Sequence, residues 1–333
     1  MLEDAAPLPS PVKNGGRKRN PEMHGVEFES RFITAPDGLK LHVRDYGSRV
    51  APRLPVVCLP GLARTAEDFH PLACALASDA AAPRRVLALD YRGRGLSDHD
   101  RNPKNYAIPV ELADTIAVLA ACEAAPAVIV GTSRGGLIAM ALAAVQPGAI
   151  AGIVLNDIGP AIEAKGLMRI KGYVGKLPQP RSFEDGAEIL RRLSDARFPK
   201  LDAAAWLAAA KRNWREQNGR LVTTYDTALA RNLKAIGPDQ PIPAMWPQFD
   251  AIGRLPLLVI RGANSDILSS ATVAAMQARH PGMDLFEVPD QGHAPLLAEP
   301  DTIGKIVSFA AACDGVEADR IGGDGGIRTL DTP

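Results

Sequence analysis

Short apolar runs alternate with helix-like segments along most of the chain. The apolar runs are LPVVCLPG, RVLALDYRG, AVIVGTS, AGIVLNDIG, PLLVIRGANSD and MDLFEVPDQGH. Their apolarity is continuous rather than alternating and ends in Gly or Asp, which predicts strands buried on both faces of a parallel sheet. The segments between them favour helices: TAEDFHPLACALAS, PVELADTIAVLAAC, RGGLIAMALAAVQPG and ATVAAMQARHPG. An earlier segment, LKLHVRDY, alternates polar and apolar residues after the Asp37–Gly38 turn and predicts an antiparallel hairpin. The pattern therefore predicts an α/β fold with a doubly wound, mostly parallel sheet.

One long segment, residues 160–250, interrupts this alternation. About 90 residues separate the strand ending at Asn156 from the next apolar run, far more than a single crossover helix needs. The segment has helical patches separated by Pro-rich stretches, and it contains all three tryptophans. We interpret it as a helical cap, or lid, over the strand ends.

The domain boundaries follow from this interpretation. Residues 25–159 and 251–314 form the predicted core on either side of the cap. Residues 1–24 are expected to be a flexible leader, and residues 315–333, which are rich in Gly and Asp, a disordered tail.

Composition narrows the range of partners. Among 333 residues, 46% are apolar and Lys+Arg equals Asp+Glu at 38 each, so the chain has a sizeable core and no net charge. A polyanion partner normally leaves an excess of basic residues, so we expect neither nucleic acid nor membrane as a partner. The four cysteines show no metal-like spacing and stand in apolar contexts, which indicates buried free thiols and a reducing, cytoplasmic setting. There is also no signal-peptide-like or membrane-spanning run.

The stretch GTSRG, residues 131–135, lies between a predicted strand and a predicted helix. In that context G-x-S-x-G indicates a nucleophile elbow, in which Ser133 is exposed at a sharp turn and its neighbours two residues away must be very small. A serine that only caps the following helix is the simpler alternative.

A serine nucleophile needs a base, and a histidine base needs a carboxylate. Of the six histidines, only His293 follows a late strand, in a Gly-His turn that faces the same sheet edge as Ser133. Two aspartates give the chain order Ser, Asp, His: Asp266 in RGANSDILS and Asp157 in LNDIGP. We favour Asp266, one strand before the histidine's own strand, and keep Asp157 as the alternative acid.

The reaction also needs donors for a developing oxyanion. The backbone N–H of Arg134, directly after the nucleophile, is one candidate, and that of Leu62, after the Pro60–Gly61 turn, is the other. Aromatic residues of the cap are candidates for an apolar substrate pocket: Trp206, Trp214, Trp246 and Tyr173. Packing of the cap helices is the alternative role for each of them.

Five motifs occur in order along the chain: LPGLART, LDYRGRGLSD, GTSRGG, GANSD and DQGHAPLLAEP. Over roughly residues 28–312 the chain resembles the α/β-hydrolase superfamily, in its lidded esterase, lactonase and carbon–carbon hydrolase branch. The resemblance implies an eight-stranded, mostly parallel sheet with the triad at the strand ends, and bracing roles for Asp90 and Ser97. Many relatives have His-Gly in the oxyanion loop where this chain has Pro60–Gly61, which leaves the backbone donor intact.

These features predict a serine hydrolase of a small or medium-sized, mainly apolar carboxylic ester or lactone. The same triad also serves carbon–carbon bond hydrolysis, perhydrolysis or a lyase reaction, and the scaffold can act as a non-catalytic small-molecule receptor. We expect no cofactor, because no His/Asp cluster has metal-ligand spacing and GTSRGG lacks the ending of a phosphate loop. The sequence leaves the oligomeric state open.

Overall fold

The computed structural model of the chain describes residues 26–234, 237 and 242–323. The strands are β1 Phe28–Thr34, β2 Lys40–Tyr46, β3 Val56–Leu59, β4 Val86–Leu89, β5 Ala127–Thr132, β6 Ile150–Asn156, β7 Trp214–Gln217, β8 Arg220–Thr223, β9 Leu257–Gly262 and β10 Asp284–Val288. The α-helices are α1 His70–Ala77, α2 Ile108–Ala121, α3 Arg134–Val145, α4 Ala164–Tyr173, α5 Phe183–Ser194, α6 Ala203–Asn213, α7 Trp246–Asp250, α8 Ser270–Arg279 and α9 Pro300–Gly323. The predicted flexible leader lies outside the described residues.

Eight strands form one sheet in the order β1-β2-β4-β3-β5-β6-β9-β10. The pairs β1–β2 and β2–β4 are antiparallel, and the remaining neighbours are parallel. Along β3, Val57 and Leu59 belong to the apolar core on one face, whereas Val56 and Cys58 belong to the core on the other. Both faces are buried, which is why these strands are continuously apolar. The predicted α/β-hydrolase fold with an eight-stranded, mostly parallel sheet is confirmed.

The loop after β4 is fastened to the first hairpin near the carboxyl ends of the parallel strands. β1 and β2 pair across the predicted turn, where Gly38 has φ +89°. His42 of β2 is fully buried, and its Nδ1 lies 2.7 Å from Oδ2 of Asp90. Asp90 also accepts the backbone N–H of Ala66 at 2.7 Å, and Ser97 donates to the Asp90 carbonyl at 2.6 Å. Both residues thus hold loops in place, as the resemblance implied.

The segment of residues 160–250, called the insert below, is not wholly helical. It contains α4, α5, α6 and α7, but β7 and β8 form a separate antiparallel hairpin. Asn218 and Gly219 connect these strands with φ of +52° and +71°. Asn-Gly accepts positive φ at both positions, and this preference produces a tight hairpin where the apolar pattern alone indicated helix.

The C-terminal segment departs from the expected disordered tail. Helix α9 continues to Gly323, and only residues 324–333 of the predicted tail lie outside the described residues. Cys313 is fully buried, and the Asp314 carboxylate accepts bonds of 2.9 and 2.6 Å from the buried guanidinium of Arg84. These contacts hold the helix against the core just where the sequence loses its apolar pattern.

Candidate active site

Ser133 occupies the sharp turn between β5 and α3. Its backbone adopts φ 51° and ψ −111°, a conformation that L-residues rarely take. The turn is closed by a bond of 3.0 Å from the Ser133 N–H to the Asn156 carbonyl of the neighbouring strand. This geometry lifts the serine side chain out at the carboxyl ends of the parallel strands.

The small residues on either side of the serine make this turn sterically feasible. A Cβ on Gly131 would lie 2.6 Å from backbone atoms of Gly135, and a Cβ on Gly135 would overlap the backbone of Leu59 in β3. Helix α3 therefore begins in direct backbone contact with the sheet. The two outer glycines of G-x-S-x-G are required by this packing, as the pattern predicted.

His293 stands between the serine and an aspartate. Its Nε2 lies 2.8 Å from Ser133 Oγ, and its Nδ1 lies 2.8 Å from Oδ2 of Asp157. The side chain of His293 is only 7% exposed and that of Asp157 is fully buried. The structure thus brings together Ser133 and His293 as predicted, with the carboxylate that the sequence analysis kept as its alternative.

Asp157 is fixed by groups from the adjacent strand and its loop. The residue follows β6 and has φ 56°, and its Oδ1 accepts the Gly262 N–H at 2.9 Å. Its Oδ2 accepts the Ser265 hydroxyl at 2.6 Å in addition to the bond with His293. These partners fix the orientation of the carboxylate, with Oδ2 facing the imidazole.

The expectation that Asp266 bonds His293 is wrong. Asp266 is instead paired with Arg169 of α4 by two bonds of 2.6 and 2.7 Å. Burial alone would raise the pKa of Asp266, but the bonds and charge of Arg169 outweigh it and hold that pKa below its ordinary value. Asp266 therefore links the insert to the core. This role depends on Arg169, which the pattern of strands did not indicate as a partner.

Two backbone N–H groups are available beside Ser133. Leu62 lines both cavities described below, and Arg134 lines the second of them. Neither N–H donates to another group in the described part of the chain. The Leu62 carbonyl accepts a bond of 2.9 Å from Nε of Arg94, which fixes the loop that carries it. These are the two groups predicted to receive an oxyanion.

The Arg134 side chain turns away from the reacting atoms. Its Nε lies 2.5 Å from Oε2 of the fully buried Glu111, and its Nη2 donates to the Tyr106 carbonyl at 3.0 Å. Arg94 bonds the other Glu111 oxygen at 2.7 Å. Two guanidinium groups thus compensate one buried carboxylate, and the Arg134 side chain is structural.

A cavity of about 240 Å³ opens over Ser133 and His293. Of the four predicted pocket aromatics, Tyr173 and Trp206 line it. Trp214 instead packs against Gly186 in the small core of the insert. Trp246 stacks edge-on against Phe249, with 5.9 Å between the ring centres. The alternative role, packing of the insert, thus applies to Trp214 and Trp246.

The same cavity has a charged wall. Arg64, Asp68 and Arg212 line it together. Arg64 directly precedes Thr65, which caps a short 3-10 helix, Ala66–Phe69, and the Arg64 guanidinium bonds Asp68 within that helix. Nothing in the sequence indicated that Arg212, from the insert, would join them.

A second cavity, of about 160 Å³, meets the first at Ser133 and Leu62. Its other walls are mainly aliphatic: Ile108, Leu137, Ile158, Ile162, Leu167, Ile170, Leu233, Ile242, Met245 and Ile267.

Within residues 26–234 and 242–323 there is no cluster of three or more His, Cys, Asp or Glu that could hold a metal ion. Over the same ranges, no helix has both the length and the apolarity to cross a bilayer.

Comparison with known proteins shows that this chain is similar to hydrolases. Residues 56–304 match the alpha/beta hydrolase family. The 3-hydroxybutyrate-oligomer hydrolase of Cupriavidus necator is 33% identical over 291 residues, which cover 83% of this chain and 94% of that protein. The 2-(acetamidomethylene)succinate hydrolase of Mesorhizobium japonicum is 27% identical over 277 residues, 82% of this chain and 92% of that protein. A crystal structure of an alpha/beta hydrolase from Novosphingobium aromaticivorans is 42% identical with a TM-score of 0.79, covering 87% of this chain and 99% of that one.

Proposed function

Because this chain belongs to the alpha/beta hydrolase family, we propose that it is a serine hydrolase that cleaves carboxylic esters through an acyl-enzyme intermediate. The observation that carries the proposal is the continuous hydrogen-bonded chain from Ser133 Oγ through His293 to Asp157, with both distances 2.8 Å. This geometry makes His293 a base within reach of the hydroxyl proton and gives it a carboxylate on its far side.

Acylation begins when Ser133 Oγ attacks the ester carbonyl and His293 Nε2 takes the hydroxyl proton. Asp157 holds the Nδ1–H tautomer and stabilises the imidazolium that forms. The N–H groups of Leu62 and Arg134 donate to the developing oxyanion. His293 then gives its proton to the leaving alcohol, and afterwards activates a water that releases the acid from Ser133.

The two cavities support a small or medium-sized substrate. Their volumes, about 240 and 160 Å³, fit short acyl and alcohol parts. The aliphatic walls of the second cavity suit an apolar acyl chain or the ring of a lactone. The similar Cupriavidus protein is named for hydrolysing 3-hydroxybutyrate oligomers, which are esters of short acyl units. We therefore propose a short-chain carboxylic ester or lactone as substrate.

A fluorophosphonate probe tests the nucleophile directly. We expect rapid labelling of Ser133 in the native protein and none in Ser133→Ala. Absence of labelling in the native protein would overturn the proposed mechanism and leave an inert scaffold, the receptor alternative.

A substrate screen then tests the bond that is cleaved. p-Nitrophenyl esters of rising chain length and a series of lactones are offered to the native protein and to Ser133→Ala. We expect hydrolysis of short esters that the variant lacks. Labelling of Ser133 without cleavage of any ester or lactone would contradict the ester assignment and favour a carbon–carbon hydrolase or perhydrolase.

A further inference from the structure

Two arginines share one carboxylate on the wall of the cavity that contains Ser133. Nε of Arg64 lies 2.5 Å from Oδ2 of Asp68, and a second bond joins Nη2 of Arg64 to Oδ1. Arg212, at the end of α6 in the insert, approaches the same carboxylate with its Nε 3.2 Å from Oδ1. The cluster therefore places two positive charges and one negative charge on this wall.

No other charge on the cavity wall cancels the excess. The remaining titratable residues of the wall are Tyr173, Tyr225 and His293, and none of them is a carboxylic acid. Glu67 lies nearby in sequence, but its carboxylate is 43% exposed and pairs with Arg44 at 3.3 Å. Among the described residues that line this cavity, the net charge of the wall is thus positive.

Arg212 is a largely buried guanidinium beside a second one, that of Arg64. Burial, the largest cause, lowers the pKa of Arg212 below its ordinary value. The charge of Asp68 raises that pKa, the neighbouring Arg64 lowers it, and the charge of Glu67 raises it to a smaller extent. A second anion in the cavity would attract both guanidinium groups and offset their mutual repulsion.

Donor groups remain available for such an anion. The two bonds from Arg64 to Asp68 leave Nη1 of Arg64 without a partner in the described part of the chain, and the same is true of Nη1 and Nη2 of Arg212. Guanidinium donors match the geometry of a carboxylate. Cγ of Arg64 and Cβ of Ser133 lie 3.2 and 3.9 Å from the point where a Gly61 Cβ would stand, so the arginine is next to the nucleophile.

The position of His293 assigns this cavity to one half of the substrate. His293 lines the first cavity but not the second, aliphatic one. The leaving alcohol must receive its proton from His293, so it lies in the cavity that the imidazole borders. The acyl chain then occupies the aliphatic cavity, which meets the first at Ser133.

Resting on the proposed esterase function, we propose that Arg212 and Arg64 bind a carboxylate on the leaving-group half of the substrate. The substrate class is then an ester of a short apolar acyl chain with a hydroxy acid. Ser133 Oγ first adds to the carbonyl carbon, the bond from that carbon to the hydroxy acid's oxygen then breaks, and that oxygen takes the proton from His293. Water then releases the apolar acid. On this proposal the substrate is apolar in its acyl half and anionic in its leaving group, which departs from the expectation of a mainly apolar ester.

A matched pair of substrates tests the proposal: 3-(butyryloxy)propanoate and its neutral amide, 3-(butyryloxy)propanamide. We expect kcat/KM of the native protein to be about 10-fold or more higher for the anion, a preference that added salt weakens. Arg212→Gln should bring the ratio of the two kcat/KM values close to 1, chiefly through KM of the anion. Arg212→Lys, which keeps the charge, should restore part of the preference.

Two further variants guard against a folding artefact. Arg64→Gln should also lower the ratio, with fluorophosphonate labelling of Ser133 as the measure of a folded site. Arg192→Gln, a change at an insert arginine that is 75% exposed and pairs with Glu188, should leave the ratio as in the native protein. Equal kcat/KM for anion and amide in the native protein, or an unchanged ratio in Arg212→Gln, would overturn this inference alone. Failure of both esters together with absent labelling would overturn the proposed esterase function as well.

Discussion

Asp157 Oδ2 lies 2.8 Å from Nδ1 of His293, although 136 residues separate the two along the chain. The carboxylate is fully buried and also accepts bonds from the Gly262 N–H and the Ser265 hydroxyl. Its orientation is therefore set by the adjacent strand before any substrate binds. A buried carboxylate with this many fixed partners holds the imidazole in one tautomer.

The first prediction separates the two candidate acids. Asp157→Asn keeps the shape of the side chain but removes the charge that orients His293, so we expect kcat to fall by about 10⁴-fold. Asp266→Asn should retain kcat within about 10-fold, because Asp266 bonds Arg169 and not the imidazole. Steady-state hydrolysis of a short p-nitrophenyl ester measures both. A larger loss in Asp266→Asn than in Asp157→Asn would contradict the assignment of Asp157.

The second prediction concerns the elbow. In Gly135→Ala the new Cβ would overlap the Leu59 backbone, which a side-chain rotation cannot relieve. We expect a loss of about 3 kcal/mol or more in the free energy of unfolding, measured by urea denaturation. Gly304→Ala is the matched control, since it also lies in a helix but has open space around it. The control should be stabilised by roughly 0.5 to 1 kcal/mol, and equal effects in the two variants would count against the packing argument.

The serine turn and the core strands could be predicted from the sequence because both depend on local patterns. Continuous apolar runs require burial on both faces, and the tight contacts of α3 with β5 and β3 require glycine at 131 and 135. His293 could be identified by elimination among the histidines. These constraints arise from the local sequence and do not depend on contacts with distant segments.

The choice of the acid depended on a contact between distant segments. Asp157 and Asp266 both follow strands at the same end of the sheet. Only the position of Arg169 in the insert shows that Asp266 is bonded to an arginine and that Asp157 is left for His293. Arg212 joins Asp68 for the same kind of reason. The β7–β8 hairpin differs, because its Asn218–Gly219 turn was a local signal that could have been read.

The third prediction is a pH dependence of the Asp266–Arg169 pair. Since the folded-state pKa of Asp266 is below its ordinary value of 3.8, the pair stabilises the protein above that pH and loses its effect as pH falls through the folded pKa. Both side chains are partly exposed, at 15% and 20%, so solvent screening limits the effect to about 1 kcal/mol at pH 7. Asp266→Asn should be less stable than the native protein at pH 7, with a difference that narrows as pH falls below 3.8.

Urea denaturation at pH 7 and pH 3 measures this difference. Asp250→Asn is a suitable control, because Asp250 pairs with Arg279 but both side chains are 47% exposed. That variant should differ little from the native protein at either pH. A difference for Asp266→Asn that stays constant or grows toward low pH would contradict the proposed origin of its stabilising effect.

The last prediction concerns the ion pair that anchors the C-terminal helix. Arg84 is almost fully buried, and Asp314 accepts its two bonds at 2.9 and 2.6 Å. Asp314→Asn leaves a buried guanidinium without its counter-charge, so we expect a loss of about 3 kcal/mol in the free energy of unfolding. The double variant Arg84→Met with Asp314→Leu removes both charges and should recover most of that loss, because no uncompensated charge stays buried. Urea denaturation gives the free energies, and limited proteolysis reports whether α9 detaches. A double variant less stable than Asp314→Asn would contradict this explanation, because the loss would then not come from an uncompensated buried charge.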